Sequence, residues 1–140
     1  MSPEQQSFID FIATQPWDDE ACHLVYADWL EEHDMLDEAK RQRQYVPSMR
    51  WLRKFSEDVF ATYEEIIQAG EDTYTDIHAT RTVGGPMGFS ARDAMDEKST
   101  RYDFWNHWAI ITGKPITDEL KDKGVVFDCC NQGYVEPREV

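Results

Sequence analysis

The sequence predicts a mainly α-helical fold, and three observations carry that prediction. Apolar residues recur at helical spacing over residues 48–69, polar cap residues precede two further apolar runs near the start, and a fourth run ends at a glycine. A chain of 140 residues is long enough to bury a core without disulfide or metal support. Five Trp, six Tyr and seven Phe supply the apolar surface for it.

Taken in order, Ser2 can cap free amides and Pro3 suits a first helical turn, so a helix is expected over about 3–15. Phe8, Phe11 and Ile12 share its apolar face and Pro16 ends it. Asp18 and Asp19 open a second helix, about 19–33, with their charge at the favourable end of its dipole. Cys22, Val25, Tyr26 and Trp29 lie along one side of it. Two short amphipathic helices joined by a tight turn must lie antiparallel to hide their faces, so Val25, Tyr26 and Trp29 are expected to pack on Phe8, Phe11 and Ile12. Residues 35–45 read as helical and charged, with a break at Val46-Pro47. The helix over 48–69 follows, with Trp51, Leu52, Phe55, Val59, Tyr63, Ile66 and Ile67 on one face and Gly70 as its stop.

The β-favouring residues of 73–83 suit either a loop or a short hairpin, and Gly84 to Gly88 form a turn or loop. A last long helix is expected over 91–112, carrying Tyr102, Trp105 and Trp108 and stopped by Gly113 and Pro115. One or two helical turns follow from Thr117 to Lys123, and residues 125–127 suit a short strand. With no repeat and no low-complexity linker, the chain reads as a single domain: an acidic helical hairpin over 1–45 and a helical remainder over 46–140.

The charge is divided just as unevenly. Residues 1–39 hold eleven Asp and Glu and no Lys or Arg, while residues 40–140 hold 17 acids against 14 bases, which together make the net −14. Such a surface repels phosphate backbones and anionic lipid, so direct nucleic-acid and membrane binding are disfavoured. The first twenty residues lack a basic start and an apolar run, and no apolar stretch approaches the ~20 residues of a membrane span. Three cysteines, two of them adjacent, suit a reducing compartment better than a disulfide framework. The expected location is the cytoplasm.

The segment from Phe8 to Glu32 turns at Pro16-Trp17-Asp18-Asp19 and ends in Leu24-Val25-Tyr26-Ala27-Asp28-Trp29-Leu30-Glu31-Glu32. It resembles the repeat-companion domain family of planctomycete bacteria, which pairs a short helix, a Pro-x-Asp-Asp turn and a helix with that same reading. The resemblance spans about residues 8–45. Beyond Glu32 the family usually continues through a Gly-Asp turn toward an Arg-Leu-Gln sequence, whereas this chain reads His33-Asp34-Met35-Leu36-Asp37-Glu38. Family members often accompany repeat proteins, and no activity is established for them. The resemblance therefore implies a helical hairpin, marked by Tyr26, Asp28 and Trp29, and no catalytic or cofactor residue.

Candidate chemistry is sparse. Asp28 within the motif could be a partly buried catalytic carboxylate, but without a base, nucleophile or metal partner the better reading is a structural hydrogen-bond acceptor. His23, His33, His78 and His107 are scattered, and Cys22, Cys129 and Cys130 lack the paired spacing of zinc ligands or a marked nucleophile. The Gly84 to Gly88 segment carries Pro86 and no Gly-Lys-Ser, so it is not a phosphate cradle. Lys40, Arg41, Arg43, Arg50, Arg53 and Lys54 form a basic run that can pair with the acidic region.

The leading expectation is a protein-interaction or adaptor module without a cofactor, in which Glu31, Glu32, Asp34 and Asp37 meet a basic partner protein. A small metal-dependent or cysteine hydrolase and an acidic DNA-mimic inhibitor remain the alternatives.

Overall fold

The computed structural model describes residues 2–59, 61–81 and 95–127. Its elements are helices α1 (Pro3–Ala13), α2 (Glu20–Glu32), α3 (Leu36–Asp58) and α4 (Tyr63–Thr75), then strand β1 (Thr80–Arg81), helices α5 (Lys98–Thr112) and α6 (Asp118–Lys123), and strand β2 (Val126–Phe127). The fold is mainly α, as the sequence predicts. The chain divides into two compact units, Met1–Arg50 and Trp51–Val140, and α3 contributes to both.

The first unit begins as expected. Ser2 accepts a hydrogen bond from the Gln5 amide at 3.1 Å and Pro3 occupies the first turn. The turn between α2 and α3 is closed by two backbone bonds, Asp34 N–H to Glu31 and Met35 N–H to Leu30. That pattern requires a left-handed residue, and Asp34 supplies it at φ 61 in the place glycine most often takes.

Two expectations about the middle of the chain fail, for reasons that lie in packing. Val46-Pro47 does not end a helix: α3 runs through it. Ala39, Gln42, Val46, Met49 and Leu52 recur every three or four residues and are all buried, and that continuous face outweighs the hydrogen bond Pro47 cannot make. The expected helix over 48–69 is interrupted instead. It stops at Asp58, and Thr62 starts α4 with a reciprocal cap: the Glu65 amide donates to Thr62 Oγ1 at 3.1 Å and the Thr62 amide to Glu65 Oε1 at 2.8 Å.

Gly70 is a further correction. It is no helix stop but an interior residue of α4, buried beneath Trp108, where a Cβ would lie 2.2 Å from the indole Nε1. The missing side chain lets the indole lie on the helix and donate to the Ile67 carbonyl at 3.2 Å. Around it the second unit packs Leu52, Phe55, Ile66, Phe104 and Trp105, all buried. Trp105 meets Phe104 and Trp108 edge-on, at 5.3 and 5.2 Å between ring centroids.

Residues 73–75 end α4 rather than forming a strand. The strand character shrinks to Thr80–Arg81, paired in parallel with Val126–Phe127 in the register Thr80 to Val126 and Arg81 to Phe127. Of the last long helix, residues 98–112 are helical and Gly113 closes it at φ 76, while 95–97 form a turn. Residues 91–94 and the Gly84 to Gly88 turn lie outside the described residues. Among the described residues no helix is long and apolar enough to cross a membrane.

Candidate functional site

Every residue singled out for a partner falls in the first unit, on or beside α2. Its interior is a small aromatic cluster: Tyr26, Ala27, Leu30 and Ala39 are buried, with Phe8, Ile9, Ile12 and Trp29 packed against them. Phe8 stacks on Tyr26 at 5.3 Å and lies 5.7 Å from Trp29. The Tyr26 hydroxyl accepts from Gln5 Nε2 at 3.1 Å. Trp29 is half-buried; its indole donates to Glu4 at 3.3 Å and its ring stacks on His33 at 4.0 Å. Tyr26 and Trp29 thus hold the hairpin together.

The expected face is only partly assembled, because Phe11 and Val25 do not join this cluster. Phe11 is 56% exposed and Val25 57%. With Phe8, Ala21 and Cys22 they line an open groove of about 530 Å³, which Ser7 and Asp19 border. Burial, with the charge of Asp19 in support, pushes the Cys22 thiol above its ordinary pKa and so favours the protonated form.

Asp28 is not the partly buried carboxylate the motif suggests. It is exposed on α2 and accepts from Arg43 at 3.0 Å, while Glu31 accepts from the other arm of the same guanidinium at 3.0 Å. The bond to Asp28, reinforced by Glu31, raises the Arg43 pKa. This pairing also gives Glu31 compensation at a helix end where the dipole disfavours it. Exposed ion pairs are screened by solvent, so Asp28 joins α2 to α3 without anchoring them strongly. Glu32, Asp34 and Asp37 are exposed around the α2–α3 turn.

At least half of the basic run pairs with acids within the chain: Arg41 bonds Glu38, Arg43 bonds Asp28 and Glu31, and Lys54 bonds Asp58. Arg41 and Glu38 belong to a network the spacing did not reveal. His23 Nδ1 lies 2.8 Å from Gln42 Oε1, and since an amide oxygen only accepts, that nitrogen carries the proton. Gln42 Nε2 then donates to Glu38 at 3.0 Å, and Arg41 holds Glu38 with two bonds of 2.8 Å. Burial raises the Glu38 carboxyl, but the bonds from Arg41 and Gln42 outweigh it and leave its pKa lowered. Tyr45 stacks on His23 at 4.4 Å. The chain spells this network in two helices, His23 on α2 against Glu38 and Gln42 one turn apart on α3. Only the pairing of those helices makes it visible.

Among the described residues, no three or more His, Cys, Asp or Glu side chains are grouped to hold a metal ion. His23 belongs to the first unit, His107 stacks on Trp51 at 4.9 Å in the second, and Cys129 and Cys130 lie outside the described residues. No family model, curated protein or solved structure matches the chain.

Proposed function

We propose that this chain is a protein-interaction or adaptor module that presents its acidic N-terminal unit to a basic partner protein in the cytoplasm. One observation carries the reading. The large apolar side chains left exposed among the described residues, Phe11, Trp17, Leu24, Val25, Met35 and Leu36, all belong to the first unit, within the acid-rich stretch before Lys40. Scattered exposed apolar residues need no explanation, but their confinement to one unit marks a surface suited to contact. The surrounding acids would steer a basic partner toward it and repel acidic competitors. Glu31, Glu32, Asp34 and Asp37 contribute to that field at the α2–α3 turn. We further propose that residues 8–45 form a repeat-companion domain, a reading supported by the Pro16-Trp17-Asp18-Asp19 turn and the Leu24 to Glu32 motif.

Cross-linking in cells of the native host tests the reading, with an unrelated protein of equal charge as control. A partner enriched over that control, and associating more slowly when Glu31, Glu32, Asp34 and Asp37 are neutralised together, supports it. The effect should fall on the association rate and shrink as salt rises, since exposed charges are screened beyond ~8 Å at physiological ionic strength. No enrichment over the charge-matched control contradicts the proposal.

A further inference from the structure

We infer that the groove between α1 and α2 receives one amphipathic helix of another protein, about three turns long, with apolar residues on one face and Lys or Arg beside them. The inference rests on the interaction reading above and assigns it a seat and an occupant.

The shape comes from the two helices. Glu4 in the first turn of α1 reaches Trp29 in the last turn of α2, and Gln5 reaches Tyr26 at its middle, so the pair runs antiparallel. On one side Tyr26, Leu30 and Ile12 close around Ala39 of α3. On the other side Phe11, Val25 and Ala21 line the open groove, with Phe8 and Cys22 contributing to its wall. A groove between two antiparallel helices accepts a third helix, whose side chains at i, i+3 or i+4, and i+7 reach down between them. The 11 residues of α1 extend over ~16 Å at ~1.5 Å per residue, which sets the occupant at about three turns.

The occupant's charge follows from the rim. Asp19 borders the groove, and Glu4, Asp10, Asp18 and Glu20 are exposed on the same two helices and the turn between them. No Lys or Arg occurs before Lys40 to offset them. An apolar groove edged by Asp19, on helices whose other exposed charges are all acidic, fits a partner of the opposite sign. A second copy of this chain would bring Asp19 and the exposed acids of the same two helices to the contact, so like charge opposes self-association through this surface.

The test uses the full chain and a fluorescein-labelled amphipathic peptide of about 14 residues, enough for roughly four turns at ~3.6 residues per turn. Leu occupies one face and Lys the other. Its controls are a scrambled peptide of the same composition and a counterpart with Glu for Lys. The amphipathic basic peptide should bind saturably by anisotropy, at least tenfold tighter than the scrambled one, and the Glu counterpart should not bind. Phe11→Ala with Val25→Ala should weaken binding tenfold or more, and Val25→Glu alone should do the same, with circular dichroism unchanged in both variants. Equal binding of ordered and scrambled peptides, insensitive to Phe11 and Val25, overturns the groove while leaving an acidic interaction surface in place. Failure of the amphipathic basic peptide to bind overturns the groove, and the interaction reading falls with it only if cross-linking also finds no partner. Self-association of the wild type that is lost in the double variant assigns the groove to a second copy and overturns the proposed occupant.

Discussion

Phe11 and Val25 in the first unit are each more than half exposed, whereas Phe104 and Trp108 in the second have no exposure at all. Both pairs sit on helices of similar length and both belong to apolar stripes. What separates them is the number of neighbouring elements. In the second unit α4, α5 and the end of α3 supply Ile66, Phe104 and Leu52 to one core, so each helix finds a partner for its whole apolar face. In the first unit α1 and α2 close around Ala39 on one side only, and the residues turned away from it stay in solvent. Net charge does not follow that division: each unit carries −7, though the first carries it on 50 residues and the second on 90. The second unit buries Phe104, Trp105 and Trp108, whereas the first leaves Phe11 and Val25 open to solvent.

The largest effect should come from the second core. Trp108→Ala removes a fully buried indole and its bond to Ile67, and should cost about 3–5 kcal/mol by denaturant unfolding. Gly70→Ala should cost about 1–3 kcal/mol through overpacking against the same indole, even though alanine favours a helix by ~1 kcal/mol. A stabilised Gly70→Ala variant would mean Trp108 is free to move aside. The corresponding test in the first unit is Trp29→Ala. Because Trp29 is half-buried, its loss should cost only about 1–3 kcal/mol, below the ~3–5 of a fully buried tryptophan. Costs equal in the two units would erase the contrast.

Much of this architecture was legible. Ser2-Pro3, the Pro16 to Asp19 turn and Gly113 are local signals, and they place helix ends where the structure has them. Pro47 was misleading because the local rule for proline competes with burial along α3, which local rules do not weigh. Thr62-x-x-Glu65 is a capping-box spacing that the sequence reading missed, because the apolar period runs unbroken across it. Gly70 looked like a stop because its reason is Trp108, far along the chain. At the candidate site, Tyr26 and Trp29 were legible as packing residues. Phe11 and Val25 were not legible as a groove, since an apolar residue on an amphipathic helix is expected to face inward unless the neighbouring elements are known. Asp28 pairs with Arg43 only because α3 passes beside α2.

Two smaller effects sharpen the account. Pro47→Ala restores a backbone donor in the middle of α3 and should raise stability by about 1–3 kcal/mol, read as a higher unfolding midpoint. A loss would mean that the helix needs the proline's geometry. His107 should make the second unit sensitive to pH. Burial lowers its pKa, with Asp103 pulling the other way, so the folded chain takes up the proton later than the unfolded chain, whose value is ~6.5. Its contribution to stability is fully present above that value and is lost as pH falls from there through the lower folded value. His107→Gln should flatten the change in unfolding midpoint between about pH 7 and 5.

The contrast between the units is tested most directly by the unfolding free energy of the Phe11→Ala, Val25→Ala double variant beside that of Trp108→Ala. If the first unit's outer apolar residues serve a partner rather than the fold, the double variant should stay within about 1 kcal/mol of wild type, about 0.5 for each exposed site, while Trp108→Ala loses about 3–5. A double variant destabilised as much as Trp108→Ala would place Phe11 and Val25 in the core and contradict the account.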